Sequence, residues 1–118
     1  MGLRDAIKRL GSSVEELDAE RLQSRFEGLP CEQIVCCEAR QQLRVGGEVK
    51  RMRTVPRSGA PSFEVVISDG TADLVAVFSG RREIAGVTHG RHVIFEGVAH
   101  DERGRLVLLN PAYTLLDH

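Results

Sequence analysis

The chain has 118 residues, 42% hydrophobic and 28% charged, the size and make-up of one globular domain with its own core. Sixteen Lys and Arg against seventeen Asp and Glu leave a net charge of -1, which excludes a uniformly basic nucleic-acid binder but allows a local basic patch. No apolar run approaches the ~20 residues of a membrane span, and Met1 to Asp5 lack a signal-peptide core.

Residues 1–29 read as helical. Leu3, Ile7, Leu10, Val14 and Leu17 repeat at a 4-3-4-3 spacing and make one apolar stripe. Leu22, Phe26 and Leu29 continue it one position out of step. Gly11-Ser12-Ser13 interrupts the pattern. Ser12 with Glu15, or Ser13 with Glu16, forms a capping box, so the spacing predicts one helix over 3–10 and a second over 14–27. The stripe serves either to pack on its own domain or to dock a partner or a second copy. Residues 30–42 are mixed and read as a connector, with Ile34-Val35-Cys36 as at most a short extra strand.

From residue 43 the period changes to two. Leu43, Val45, Gly47 and Val49 alternate with Arg44, Gly46, Glu48 and Lys50, a half-buried strand running to Val55. On a regular strand Lys50 and Arg53 face opposite ways, unless a bulge near Gly46-Gly47 shifts the phase. Val55 to Pro61 is rich in turn formers and reads as a loop. A second strand carries Phe63, Val65 and Ile67 inward. Ser68-Asp69-Gly70-Thr71 is a tight turn, and a third strand carries Leu74, Ala76 and Phe78 inward. Gly80 to Gly90 breaks the pattern, with one helical turn expected at Arg82 to Ala85. Val93, Phe95 and Val98 mark a fourth strand, Asp101 to Gly104 a hairpin turn, and Leu106, Leu108 and Leu109 a fifth. Asn110-Pro111 ends it, and Tyr113 to Leu116 closes the domain at 118. Five strands with mostly short connections and a break after the third fit a mainly β, five-stranded Greek-key barrel of the OB type behind an N-terminal helical segment. A small sandwich, the rival, usually needs about seven strands.

The series Val45-x-Gly47-x-Val49, Ser68-Asp69-Gly70-Thr71-Ala72, Val77-Phe78, Gly90-x-x-Val93, Glu96-Gly97-Val98 and Asn110-Pro111-x-Tyr113 resembles the OB-fold nucleic-acid-binding family. It is most similar to the OB wedge of RecG-type helicases and to small stand-alone actinobacterial OB-fold proteins. The likeness covers 43–116, and residues 1–29 resemble the N-terminal segment of the stand-alone proteins. Ala72 stands where the family turn has a second glycine. No Gly-x4-Gly-Lys-Ser/Thr loop occurs, so no helicase motor is expected. The resemblance implies single-stranded nucleic-acid binding, DNA rather than RNA, in the service of repair or replication, by a protein with no chemistry of its own.

In such a barrel a strand of nucleic acid lies across strands two and three, flanked by two loops. Residues 40–57 carry Arg40, Arg44, Lys50, Arg51, Arg53 and Arg57 against Glu48 alone, a net +5 between two segments of -3 each. This first strand and its loop form one candidate rim. Arg81-Arg82 and the pair Arg103 and Arg105 are candidates for the other. The outward phase of strands two and three shows Val66, Val75 and Val77, an apolar shelf for bases or for a protein partner, with Glu64 and Asp73 repelling phosphate. Phe63, Phe78 and Phe95 share the inward phase, so stacking platforms are scarce and binding should be weak, salt-sensitive and sequence-independent.

No catalytic set, cofactor or metal is expected. Cys31, Cys36 and Cys37 are an odd cluster with no second pair, read as reduced thiols. His89 and His92 flank Gly90-Arg91 and read as exposed turn histidines, with His100 and His118 elsewhere. Ala6 stands where N-myristoylation needs Ser or Thr, and a cytoplasmic location is expected.

Overall fold

After residue 41 the chain forms six strands, interrupted by an irregular segment between the third and the fourth. The computed structural model describes residues 3–117, with side chains described from Val14 onward. Helix α1 spans Leu3–Glu27, and a 3-10 turn at Ile34–Cys36 leads into the strands. These are β1 (Gln42–Arg57), β2 (Ala60–Ser68), β3 (Asp73–Ser79), β4 (His92–Glu102), β5 (Arg105–Leu109) and β6 (Ala112–Leu115).

β1 is long enough to serve two neighbours. Its first half pairs antiparallel with β4, from Gln42 opposite Val98 to Glu48 opposite His92. Its second half pairs antiparallel with β2, ending at Arg57 opposite Ala60. β2 pairs with β3, β3 runs parallel to β5, and β5 pairs back to β4. Five strands therefore close a ring, β1-β2-β3-β5-β4-β1, and β6 is added antiparallel on β4. The sixth strand is the segment around Tyr113 that the sequence marked only as closing the domain.

Inward side chains fill the ring: Val45, Val49, Val65, Ile67, Phe95 and Leu108 are fully enclosed. Ile34 joins the same core, as do Ile84 and Val87 from the segment between β3 and β4. On the opposite face Val75, Val77 and Val107 make a second, smaller cluster.

Several local expectations change. The two predicted helices are one, because an interior Gly costs only about 1 kcal/mol and the flanking residues favour helix. The capping boxes of Ser12 and Ser13 rest on side chains outside the described ones. Ile34-Val35-Cys36 is a 3-10 turn and not a strand, since Ile34 N and Val35 N are taken by Asp69 Oδ2 at 2.9 Å and Thr71 Oγ1 at 3.1 Å, leaving no ladder. The predicted loop at Val55–Pro61 is a continuous hairpin turning on Ser58 (φ 52°) and Gly59 (φ 81°), the doubly left-handed turn that matches strand twist. The helical turn expected at Arg82–Ala85 is absent. Turns there are closed by Val87 N donating to Ile84 O and Arg91 N to Thr88 O.

The ring seats α1 through Leu22 and Phe26, both buried, and through the Asp69-Gly70-Thr71 turn beneath it. Asp69 accepts from Thr71 N, Thr71 Oγ1 and Ala72 N as well as from Ile34 N, so one buried carboxylate fixes both turn and connector. Gln23 Nε2 donates to Gly70 O at 3.1 Å. Gly70 has φ 87°, and a Cβ there would lie 2.2 Å from Ala19 O of the helix. Gly70→Ala should therefore cost about 1–3 kcal/mol in urea unfolding. An unchanged midpoint would show that the helix does not rest on this turn.

Candidate nucleic-acid interface

The site is built by a bulge. Register slips between Val49 and Arg51, so the extra residue is Lys50 and not the expected Gly46-Gly47. Val49 points into the core. The slip then sets Arg51 opposite Val66 and Arg53 opposite Glu64, both on the outer face. Arg105 from β5 reaches the same place across the parallel β3–β5 join.

Glu64 is the centre of the arrangement. It is 5% exposed, and its Oε1 accepts from Arg53 Nε at 3.3 Å and Nη2 at 3.1 Å, with Arg105 Nη1 at 3.6 Å. Its charge is thus satisfied inside the protein, and the expectation that it simply repels phosphate is revised. Among the described residues Arg51 makes no ion pair. Three guanidiniums around one carboxylate leave a local excess of positive charge.

A hollow of about 430 Å³ lies here, lined by Arg51, Met52, Arg53, Glu64, Val66 and Arg105. A second of about 430 Å³ shares Arg51, Val66 and Arg105 and extends to Ile34, Val35 and Val75. Together they form one trough over β1, β2, β3 and β5. At one side Arg57 Nη2 donates to Glu102 Oε1 at 2.6 Å, tying the β1–β2 hairpin to β4 beside the β4–β5 hairpin. Arg57 holds the Glu102 carboxyl below its usual range, and Glu102 in turn raises Arg57. Beyond Arg53, a further hollow of about 410 Å³ includes Met52, Thr54 and Arg82, with Thr54 Oγ1 donating to Arg82 O at 2.8 Å.

The nine basic candidates are therefore not one patch. Arg51, Arg53 and Arg105 converge on the trough, Arg57 ties its side, and Arg82 sits past its end with the exposed Arg81. Arg103 is exposed at the tip of the β4–β5 hairpin, at φ 55°. Arg44 pairs with Glu96 across β1 and β4. Lys50 turns toward α1, 2.7 Å from Glu48 and 3.4 Å from Asp18. Most of the +5 of residues 40–57 is met by carboxylates that chain order keeps apart.

The valine shelf is also smaller than expected. Val75 and Val77 are buried against Val107, and only Val66 stays partly open. Phe63, Phe78 and Phe95 are buried in the core, and no aromatic ring lines the trough. Tyr113 is half-exposed and sits edge-on to Phe78, 6.0 Å between centroids.

His92 is not an exposed turn residue. It opens β4, lies buried 5.3 Å from the Phe26 ring, and contacts Glu48 through Nε2 at 3.2 Å. Arg25 Nε donates to His92 Nδ1 at 3.2 Å; a guanidinium can only donate, so Nε2 carries the proton given to Glu48. His118 lies outside the described residues. Burial pushes the Cys31 thiol up, and burial followed by Glu32 and Asp69 pushes Cys37 up to about 11, which disfavours thiolate at both. Among the described residues no group of three or more His, Cys, Asp or Glu is placed to hold a metal, and no helix is long and apolar enough to cross a membrane.

No protein-family model matches the chain, and no curated protein sequence is detectably similar to it.

Proposed function

We propose that the ring is a Greek-key OB barrel and that the chain binds single-stranded DNA along the trough. The observation that carries this is the convergence of Arg51, Arg53 and Arg105 on one open, partly apolar groove. The strand order, with its single parallel join between β3 and β5, supports the barrel assignment. Guanidiniums suit phosphate oxygens, and Val66 and Met52 offer bases an apolar surface without base-specific donors. Without a stacking ring, each base forgoes about 1–3 kcal/mol, so phosphate contacts carry the affinity. The protein then acts as a binding module for single strands exposed in repair or replication, an assignment of process that rests on fold-level analogy.

The test is fluorescence anisotropy with labelled single-stranded and duplex oligonucleotides. Three phosphate contacts predict a fall in affinity of about 20-fold between about 50 and about 200 mM salt. Single strands should bind more tightly than duplex. No binding at the lower salt would refute the assignment.

A further inference from the structure

We propose that Arg57 is a fourth phosphate ligand of the trough, held in reserve by Glu102, and that a phosphate of the bound strand takes the place of the Glu102 carboxylate on it. The exchange rests on the proposed binding of single strands in the trough. Two hairpins meet at the trough's side. Ser58-Gly59 turns the β1–β2 hairpin and Arg103-Gly104 the β4–β5 hairpin, each through two successive left-handed residues. Arg57 opposite Ala60 and Glu102 opposite Arg105 are the last pairs before these turns. The ion pair between them joins the hairpins, with Arg57 Nη2 donating to Glu102 Oε1 at 2.6 Å and Nη1 to Oε2 at 3.5 Å. A guanidinium set on two carboxylate oxygens has the geometry it would adopt on two phosphate oxygens, so Glu102 stands where a phosphate would.

The two carboxylates beside the trough differ in what holds them. Glu64 sits on β2 between β1 and β3 with its side chain 6% exposed, so leaving Arg53 and Arg105 would strand a buried charge. The Glu102 side chain is 31% exposed at the end of a hairpin, and water can receive it when it lets go. The two ion pairs belong to one network. The hydrogen bond between Arg57 and Glu102 is the main cause that raises the one and lowers the other, and Glu64 adds to the first shift and Arg105 to the second. Arg53, Arg57 and Arg105 thus share two carboxylates, one fixed and one exchangeable. Release of Glu102 leaves three guanidiniums on a single carboxylate, with Arg51 beside them. Exchange also sets the salt dependence. An arginine that gives up a carboxylate for a phosphate frees one anion for each it gains, so it adds nothing to the counterions released by the other contacts.

Anisotropy of a labelled oligothymidylate of about 12 nucleotides reads both effects. Glu102→Gln, and Glu102→Ala as the fuller truncation, should bind about threefold or more tightly than wild type at about 50 mM salt. Their affinity should fall about 50-fold by about 200 mM, against about 20-fold for wild type, the slope of a fourth phosphate contact. Adding Arg57→Gln to Glu102→Gln should remove both the gain and the extra slope. Glu83, exposed at the far hollow, makes no ion pair among the described residues, so Glu83→Gln removes the same charge without freeing an arginine and should keep the wild-type slope. Equal affinity and slope in wild type and both Glu102 variants overturns the exchange and leaves single-strand binding standing. Weaker binding by the Glu102 variants also overturns it, since the ion pair would then be a strap that shapes the trough. An oligonucleotide that binds neither protein removes the single-strand assignment, and calorimetry with inorganic tripolyphosphate then decides the exchange by itself. Tighter binding to Glu102→Gln than to wild type, lost again with Arg57→Gln, upholds it; equal or absent binding overturns it.

Discussion

Arg51→Glu is expected to weaken single-stranded DNA binding about 10- to 30-fold at low salt and to flatten the salt dependence by about one phosphate contact. Arg51 is the clean probe because no described carboxylate holds it, so its full charge faces the trough and nothing inside the fold is undone by its loss. Arg53 and Arg105 behave differently. Both lie on the buried Glu64, and reversing either sets two carboxylates together, one of them shielded from water. Arg57 likewise holds Glu102. Reversing Arg51, Arg53 and Arg57 together would therefore confuse lost binding with lost structure. Glu64→Gln gives the opposite sign. The amide keeps an acceptor for Arg53 but removes the competing charge, so affinity should rise about threefold or more. The pair of variants, measured by anisotropy at equal salt, isolates the trough. An Arg51→Glu protein with wild-type affinity and slope would place the site elsewhere on the surface.

The first four strands were legible because an apolar residue recurs at every second position along one face of each. Valine, isoleucine and phenylalanine at alternate positions of β1 to β4 mark the inward face, and Asp69-Gly70 and Arg103-Gly104 mark reversals. Partnership across the sheet was not legible. Glu64 meets Arg105 only because β3 and β5 run side by side in parallel, and Val107 covers Val75 and Val77 for the same reason. Charge counted along the chain gave +5 on one segment, whereas folding pairs two of its arginines with their cross-strand neighbours, Arg44 with Glu96 and Arg53 with Glu64. The bulge at Lys50 carried no glycine to announce it, yet it decides which arginines share a face. His92 looked like a turn residue because Gly90 precedes it. Its burial depends on Phe26, which arrives from the far end of the chain.

The same convergence makes the seat of α1 sensitive to acid. Glu48 is the shared acceptor, receiving Lys50 Nζ at 2.7 Å, Arg21 Nη2 at 3.2 Å and His92 Nε2 at 3.2 Å. Burial pushes its pKa up, but the hydrogen bonds from Lys50, Arg21 and His92 together outweigh burial and hold it at about 2, against an ordinary 4.5. Asp18 is lowered in the same network, chiefly by its hydrogen bond from Arg21. A carboxylate with its folded pKa below its unfolded one stabilises the fold above the unfolded value, and that contribution is lost as pH falls toward the folded value. The loss therefore runs from about pH 5 down to about pH 2 and amounts to about 2–3 kcal/mol for Glu48. Glu48→Gln should be less stable than wild type by that amount at pH 6, and the gap should narrow to about 1 kcal/mol or less as pH falls to 2.5, because only the wild type loses a charge over that range. Urea unfolding at stepped pH measures the gap, and amide resonances of residues 18–27 report whether the helix leaves its seat first. A gap that stays constant over this range would show that Glu48 holds α1 by shape and not by charge.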